Sequence, residues 1–570
     1  GRRVIIAFDG DDPGRIGTIK WAEKLSVEPG TEVLIAYIPE GHDLDSLSAE
    51  EVKLVLDTAM PLRPLPQDAP ALMPGNAGYE RQQGKTATQI TDWVFQPKQV
   101  LIGEDGYAWS GTLMPQGITT TLRANDLSSK AFIVRWSERH GSTWLGSERD
   151  AQLLASTYYS QSTLLPRGKA VPRTGLHDGI IVYPGGRLGT ANYVYVPGKI
   201  DIPLEKMVHI NESLQADPAP GIPLALRELH DHRVMDPILA WLAAAPLRSK
   251  LQQFPILAVT GGSGTGKTTL VRETVRHFTA TAIGTNLTGT TKFAILGFLG
   301  STNAFPVWFD EYRPGARKDT LAEFNQLLRD AYTGQSSIKG GMGDNWATVR
   351  ETPVTAPIIV SGEDSFTEVS HTERMVLVHL PRDGKNRDGM ASALAAPITG
   401  FAADYYDWVR TANTPVITPE GPEHLPDRQR YNLGVLRAGW QLLATYLDER
   451  LGAALGDPDW SLVIAESEEA AISNPILDAI QWALEDPRMT GDYVVFPDPV
   501  APRIHIRVSS LVTEVNRSGA FNLPGGSKAV SKYIKSHLQG RPEQIMVNRL
   551  GQASRIRTFS IPAELVNSNE

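Results

Sequence analysis

The stretch FPILAVTGGSGTGKTTLVRETVRHF constrains this chain more than any other. An apolar run leads into a glycine-rich loop and then into an amphipathic run, and the loop matches G-x-x-x-x-G-K-[ST] from Gly261 to Thr268. Between a strand and a helix, such glycines let backbone N–H groups close around phosphate oxygens, and the helix N-terminus adds its positive dipole end. The expected nucleotide contacts are Gly261, Gly262, Ser263, Gly264, Thr265, Gly266, Lys267, Thr268 and Thr269. Lys267 is expected on the β and γ phosphates and Thr268 on magnesium, so ATP and Mg2+ are the expected ligands. A loop of this kind belongs at the carboxyl edge of a parallel α/β sheet.

Downstream, AFPVWFDEY is an apolar strand ending in Asp310-Glu311. After a phosphate-binding loop, Asp310 is expected to hold the magnesium shell and Glu311 to orient or activate water. A third strand, APIIVSGED, ends in Ser361; two readings stand, a side chain sensing the γ phosphate or a helix cap or turn residue. Arg374, in HTERMVLVHL, is a candidate arginine finger reaching a neighbour's nucleotide, or else one half of a surface ion pair. Between the Asp310 strand and the Ser361 strand lie a helix, LAEFNQLLRDAY, and SSIKGGMGDNWATVRETPV, which reads as a hairpin. Lys339, near its tip, is either a follower of a phosphate backbone or an ordinary solvated lysine.

The chain opens with VIIAFDGDDPGRIGTIKWAEKL, a strand that delivers Asp9 and Asp11 to its carboxyl end. Two hard carboxylates one residue apart suit magnesium, and EVLIAYI followed by AEEVKLVLDTA completes a βαβ pattern. A calcium loop is excluded, because Pro13 and Lys20 stand at ligand positions. PLRPLPQDAPALMPGNAGYE reads as a linker, KQVLIG and KAFIVRW as short strands, and the segment from about 175 to 215 as hairpins. His230-Asp231-His232 reads as a polar turn between helices rather than part of a metal site.

With 570 residues, several domains are expected. The absence of cysteine excludes disulfides, zinc ribbons and thiol catalysis. No membrane span or signal peptide is visible, so a cytoplasmic setting is expected, the host cytoplasm if the source is viral. The net charge of -9 is unevenly spread: residues 501–570 hold ten Lys or Arg against four Glu, a local +6, which leaves -15 for the rest. That asymmetry suits one domain touching phosphates. Lys528, Lys532 and Lys535 share one face of a helix there, and Arg555 and Arg557 lie in an Arg-rich turn, RLGQASRIR. DNA contact and protein contact are the two readings of this surface.

The residues GGSGTGKTT, PVWFDEY, VSGE and the arginine of ERM, with the hairpin between them, resemble the superfamily 3 and related AAA+ helicases of phages, plasmids and mobile elements. That resemblance implies a hexameric ring that moves on single-stranded DNA, with Lys339 in the pore and Arg374 acting in trans. IIAFDGDDPG followed by IPEGHDLDSL is similar to the second part of a Toprim domain of bacterial primases, whose metal site also uses an upstream Glu that this chain does not hold. The carboxyl-terminal segment resembles a winged helix. The expected fold is therefore a multidomain α/β chain: a partial Toprim βαβ unit (1–60), a linker (61–80), a mixed, β-rich middle region (81–235), an AAA+ P-loop NTPase core (236–415), a helical region (416–490) and a winged-helix domain (491–570). The expected function is an ATP-dependent DNA helicase of primase-helicase type, acting on single-stranded and forked DNA with primase and replisome partners. The alternatives are a nucleotide-switched initiator or loader, and a Toprim metal-dependent primase or nuclease using Asp9 and Asp11.

Overall fold

The computed structural model describes residues 2–26, 28, 30–61, 72–75, 77–83, 86–104, 106–163, 165–197, 210–279, 284–287, 290–312, 318–340, 349–363, 366, 369–472, 475–486, 488–489, 494–497, 503–518, 523, 526–549 and 552–563. Together they form a mixed α/β, multidomain chain.

The opening segment folds as the alternation of apolar and helical runs dictates. Strands Arg2–Ile6 and Thr31–Ile35 pair in parallel, Val4 opposite Val33, and helix Asp12–Ser26 connects them. Its Ala22 closes a small core with Ile6, Val33 and Ile35. Met60–Pro61 adds an antiparallel edge.

Two expectations for the next segment are corrected. Leu72–Pro74, inside the expected linker, pairs with Tyr79–Gln83, which begins at its last two residues and pairs in turn with Thr86–Gln89 in a small antiparallel sheet. KAFIVRW, expected as a strand, lies in helix Lys130–Arg139. The Ser129 hydroxyl accepts the Phe132 N–H at its start, and Ile133, Trp136 and Ser137 are buried at helical spacing. Burial beside Trp93, Phe95 and Trp109 outweighs the β preference of the Ile-Val pair. The KQVLIG strand forms as expected, within Val94–Gly103, in a meander with Gly106–Met114 and Ile118–Arg123.

The glycine-loop segment builds a five-stranded parallel sheet in the order Thr285–Asn286, Val307–Tyr312, Ile358–Gly362, Ile256–Thr260, Met375–His379. Its strands alternate between two cores, as the two-residue period requires. Leu257, Val259, Ile359, Val376 and Val378 face one; Ile256, Ala258, Ile358, Val360, Met375 and Leu377 face the other. The first core runs from Leu176 to Val463, across the expected limits at 235 and 415. The reason lies in helix His232–Ala244, buried on every side, which needs cover from the sheet and from the long helix Asp427–Leu451.

At the carboxyl end, helices Pro475–Glu485, Val508–Ser518 and Gly526–His537 share a core with a four-stranded antiparallel sheet ordered 495–497, 503–506, 552–562, 541–549. Among the described residues, no helix is long and apolar enough to cross a membrane.

Candidate nucleotide site

Strand Ile256–Thr260 is buried throughout, and helix Lys267–Thr279 starts two residues after Thr265, so the loop emerges at the carboxyl edge of the sheet. Gly261 and Gly266 take φ values of 149° and 97°, conformations open to glycine. The ammonium of Lys267 donates to Gly261 O at 2.6 Å and Gly262 O at 2.9 Å, folded onto its own loop.

The strand bearing Ser361 lies between the loop strand and the Asp310 strand, which brings three motifs distant in sequence to one edge. Trp308 Nε1 donates to Ser361 Oγ at 2.7 Å, Ser361 Oγ donates to Asp310 Oδ1 at 2.6 Å, and Thr268 Oγ1 donates to Asp310 Oδ2 at 3.2 Å. Both oxygens of Asp310 are thereby oriented, one by each neighbouring motif. Ser361 is fully buried, with its hydroxyl held between Trp308 and Asp310.

Asp310 and Glu311 sit in a β-bulge. Phe309 pairs with Val360 and Tyr312 with Gly362, so this strand holds one residue more than its partner between those pairs. Glu311 takes φ 59°, a costly conformation for a side chain of its size. The bulge turns both carboxylates to one cleft, lined by Gly264, Gly266, Lys267, Thr268, Thr269, Asp310, Glu311, Gly362 and Glu363. Asn286 Nδ2 donates to Glu311 Oε2 at 2.6 Å from the edge strand. Sequence reasoning missed Asn286; a polar residue ending a short strand before the apolar helix KFAILGFLG is the signal that it left.

Thr268 and Asp310 suit magnesium by donor chemistry: both are hard oxygens, and their 3.2 Å separation is close to the roughly 3 Å between adjacent oxygens of an octahedral magnesium. Among the described residues, no group of three or more His, Asp and Glu side chains could hold a metal by itself.

Arg374 stands at the opposite edge of the sheet. Ile256 N–H donates to Arg374 O, so Arg374 flanks the start of the loop strand, about 16 Å along it from the loop. Its guanidinium lies over the Tyr332 ring, near Arg428, and burial lowers its pKa. Strands Ser336–Gly340 and Val349–Pro353 form the expected hairpin stem, with Lys339 opposite Arg350; the Gly-Met-Gly-Asp-Asn turn lies outside the described residues.

Asp9 and Asp11 are both exposed. Asp11 Oδ1 accepts the Gly14 N–H at 2.7 Å, a bond spent on starting the following helix. Lys528 and Lys535 are exposed on the face of their helix away from Val530 and Ile534; the side chain of Lys532 lies outside the described residues. Lys535 lies over the Phe559 ring, on a strand that also bears exposed Arg555 and Arg557 at the alternate positions sharing that face.

No family model and no curated protein matches the chain. The solved structure of SCCmec type IV Cch, an active helicase, is similar over 88% of this chain and 99% of its own, at 14% identity and a TM-score of 0.48. The apo structure of the NrS-1 C-terminal region is similar over 81% of this chain and 95% of its own, at 13% identity and a TM-score of 0.32. The functional reading rests on the site's own geometry.

Proposed function

We propose that the chain is a magnesium-dependent ATPase that drives DNA strand separation, a helicase with an AAA+ core, flanked by a Toprim-like unit and a winged helix. One observation carries the reading: the hydrogen-bonded line from Thr268 through Asp310 to Ser361, beside the glycine loop, at the carboxyl edge of a parallel sheet. In this reading Lys267 leaves the loop carbonyls for the β and γ phosphates, because a phosphate oxygen is the stronger partner for an ammonium. Thr268 and Asp310 would hold magnesium, which when bound neutralises phosphate charge. Glu311 accepts a proton from the attacking water after Asn286 releases its carboxylate. Ser361 keeps Asp310 aimed at the metal and phosphates.

Arg374 lies too far from its own loop to touch its nucleotide, so the mechanism gives it to the neighbouring subunit, which calls for a homo-oligomeric ring. The hairpin bearing Lys339 and the basic surface of Lys528, Lys532, Lys535, Arg555 and Arg557 supply phosphate contacts along single-stranded and forked DNA. The test is strand separation of a forked duplex with ATP and magnesium, for the wild type and Lys267→Ala. Unwinding lost in the variant supports the motor. ATP-dependent DNA binding without unwinding in the wild type replaces it with a nucleotide-switched initiator or loader.

A further inference from the structure

The segment after the last sheet strand brings a second lysine onto the glycine loop. Strand Met375–His379 ends beside the loop strand, Leu380 N–H donates to Thr260 O at 2.8 Å, and residues 381–386 run alongside the loop before helix Arg387–Ala395. Lys385 Nζ donates to Gly264 O at 3.2 Å. Arg382 approaches the loop three residues earlier: a Cβ built on Gly262 would lie 4.0 Å from its guanidinium.

This strap is anchored at its far end. Asn386 N–H donates to Leu229 O at 3.0 Å, its Nδ2 donates to Glu228 O at 3.1 Å, and its Oδ1 accepts the Gly389 N–H at 2.8 Å to cap the next helix. Gly384, at φ 89°, turns the strap against His230. Lys385 is therefore delivered by a fixed backbone, while its half-exposed side chain keeps freedom to move.

A neutral carbonyl is a weak partner for an ammonium, and a phosphate oxygen bears formal charge. Lys267 rests on carbonyls of the same loop, so the two cations share one arrangement. We propose that Lys385 is a second phosphate-binding cation, supplied in cis, which exchanges the Gly264 carbonyl for an oxygen of the bound nucleotide, with Arg382 adding to the local positive potential. The assignment rests on the reading that this loop binds a nucleotide.

The experiment is equilibrium binding of a fluorescent ATP analogue with magnesium, competed by ATP, ADP and AMP, for the full chain, Lys267→Ala, Lys385→Gln and Lys385→Arg. Loss of one charge-assisted hydrogen bond predicts about tenfold weaker ATP binding by Lys385→Gln. The loss should be largest for ATP and smallest for AMP, and Lys385→Arg should recover most of it. Wild-type ATP affinity in Lys385→Gln, an equal loss for all three nucleotides, or no recovery in Lys385→Arg overturns the assignment while leaving nucleotide binding intact. Failure of the wild type to bind any nucleotide overturns both readings together.

Discussion

The chain twice ends a parallel strand in a pair of acids, and the two pairs have different surroundings. Asp9 and Asp11 are exposed, and Asp11 spends an oxygen on the Gly14 N–H. Asp310 is held on both oxygens, by Ser361 and Thr268, and the bulge that follows sets Glu311 beside a lysine-bearing loop. The difference lies in what neighbouring strands supply. A carboxylate becomes part of a site when adjacent elements orient it and bring complementary charge to the same edge.

The largest expected effect separates the two pairs. Lys267→Ala or Asp310→Asn should lower ATP hydrolysis on the order of 10²–10³-fold, whereas Asp9→Asn and Asp11→Asn should leave it within about twofold of wild type. Steady-state hydrolysis with magnesium checks this; equal losses from both pairs would mean that the amino-terminal acids belong to the same reaction. Ser361→Ala comes next, at about tenfold in kcat with KM little changed, because it releases Asp310 without removing a nucleotide ligand. A rise in KM of that size with kcat intact would make Ser361 a binding residue.

Asn286→Ala should act in the opposite direction. The 2.6 Å bond from its amide holds Glu311 in the left-handed bulge and occupies a carboxylate oxygen that the attacking water needs, so its loss should raise hydrolysis without DNA about threefold. Measurement with and without single-stranded DNA checks it; a fall in both rates would show that Asn286 positions Glu311 for catalysis.

The elements of this site differed in how legible they were. The glycine loop and the Asp310-Glu311 strand were readable because their chemistry is local, a spacing of residues on one element. The apolar run before Ser361 marked a strand, expected between the other two motifs, and the sheet order puts it there. Asn286 and Lys385 act across elements: one meets Glu311 from 25 residues away and the other meets Gly264 from 121. No periodicity records such a pairing. KAFIVRW was misread for a related reason, since tertiary burial of Ile133 and Trp136 decided between two states that local preference leaves close. The core running from Leu176 to Val463 was hidden because segment boundaries follow composition, whereas cores follow packing.

Acid should distinguish the two regions by the smallest effect. His277, on the helix that follows the glycine loop, is 4% exposed, and burial, followed by the Arg276 charge, pushes its pKa down to about 4. The amino-terminal unit holds one histidine, His42, on its surface. Below about pH 6.5 the unfolded chain takes up a proton at His277 that the folded chain refuses, so stability present at higher pH drains away as pH falls towards 4. The full loss is about 3 kcal/mol, and about half or more of it falls by pH 5. Thermal unfolding at about pH 7.5 and 5 should show a smaller drop for His277→Leu than for the wild type, with the difference confined to the transition that ATP and magnesium stabilise. An equal drop in both proteins would mean that groups other than His277 set the acid sensitivity of the glycine-loop core.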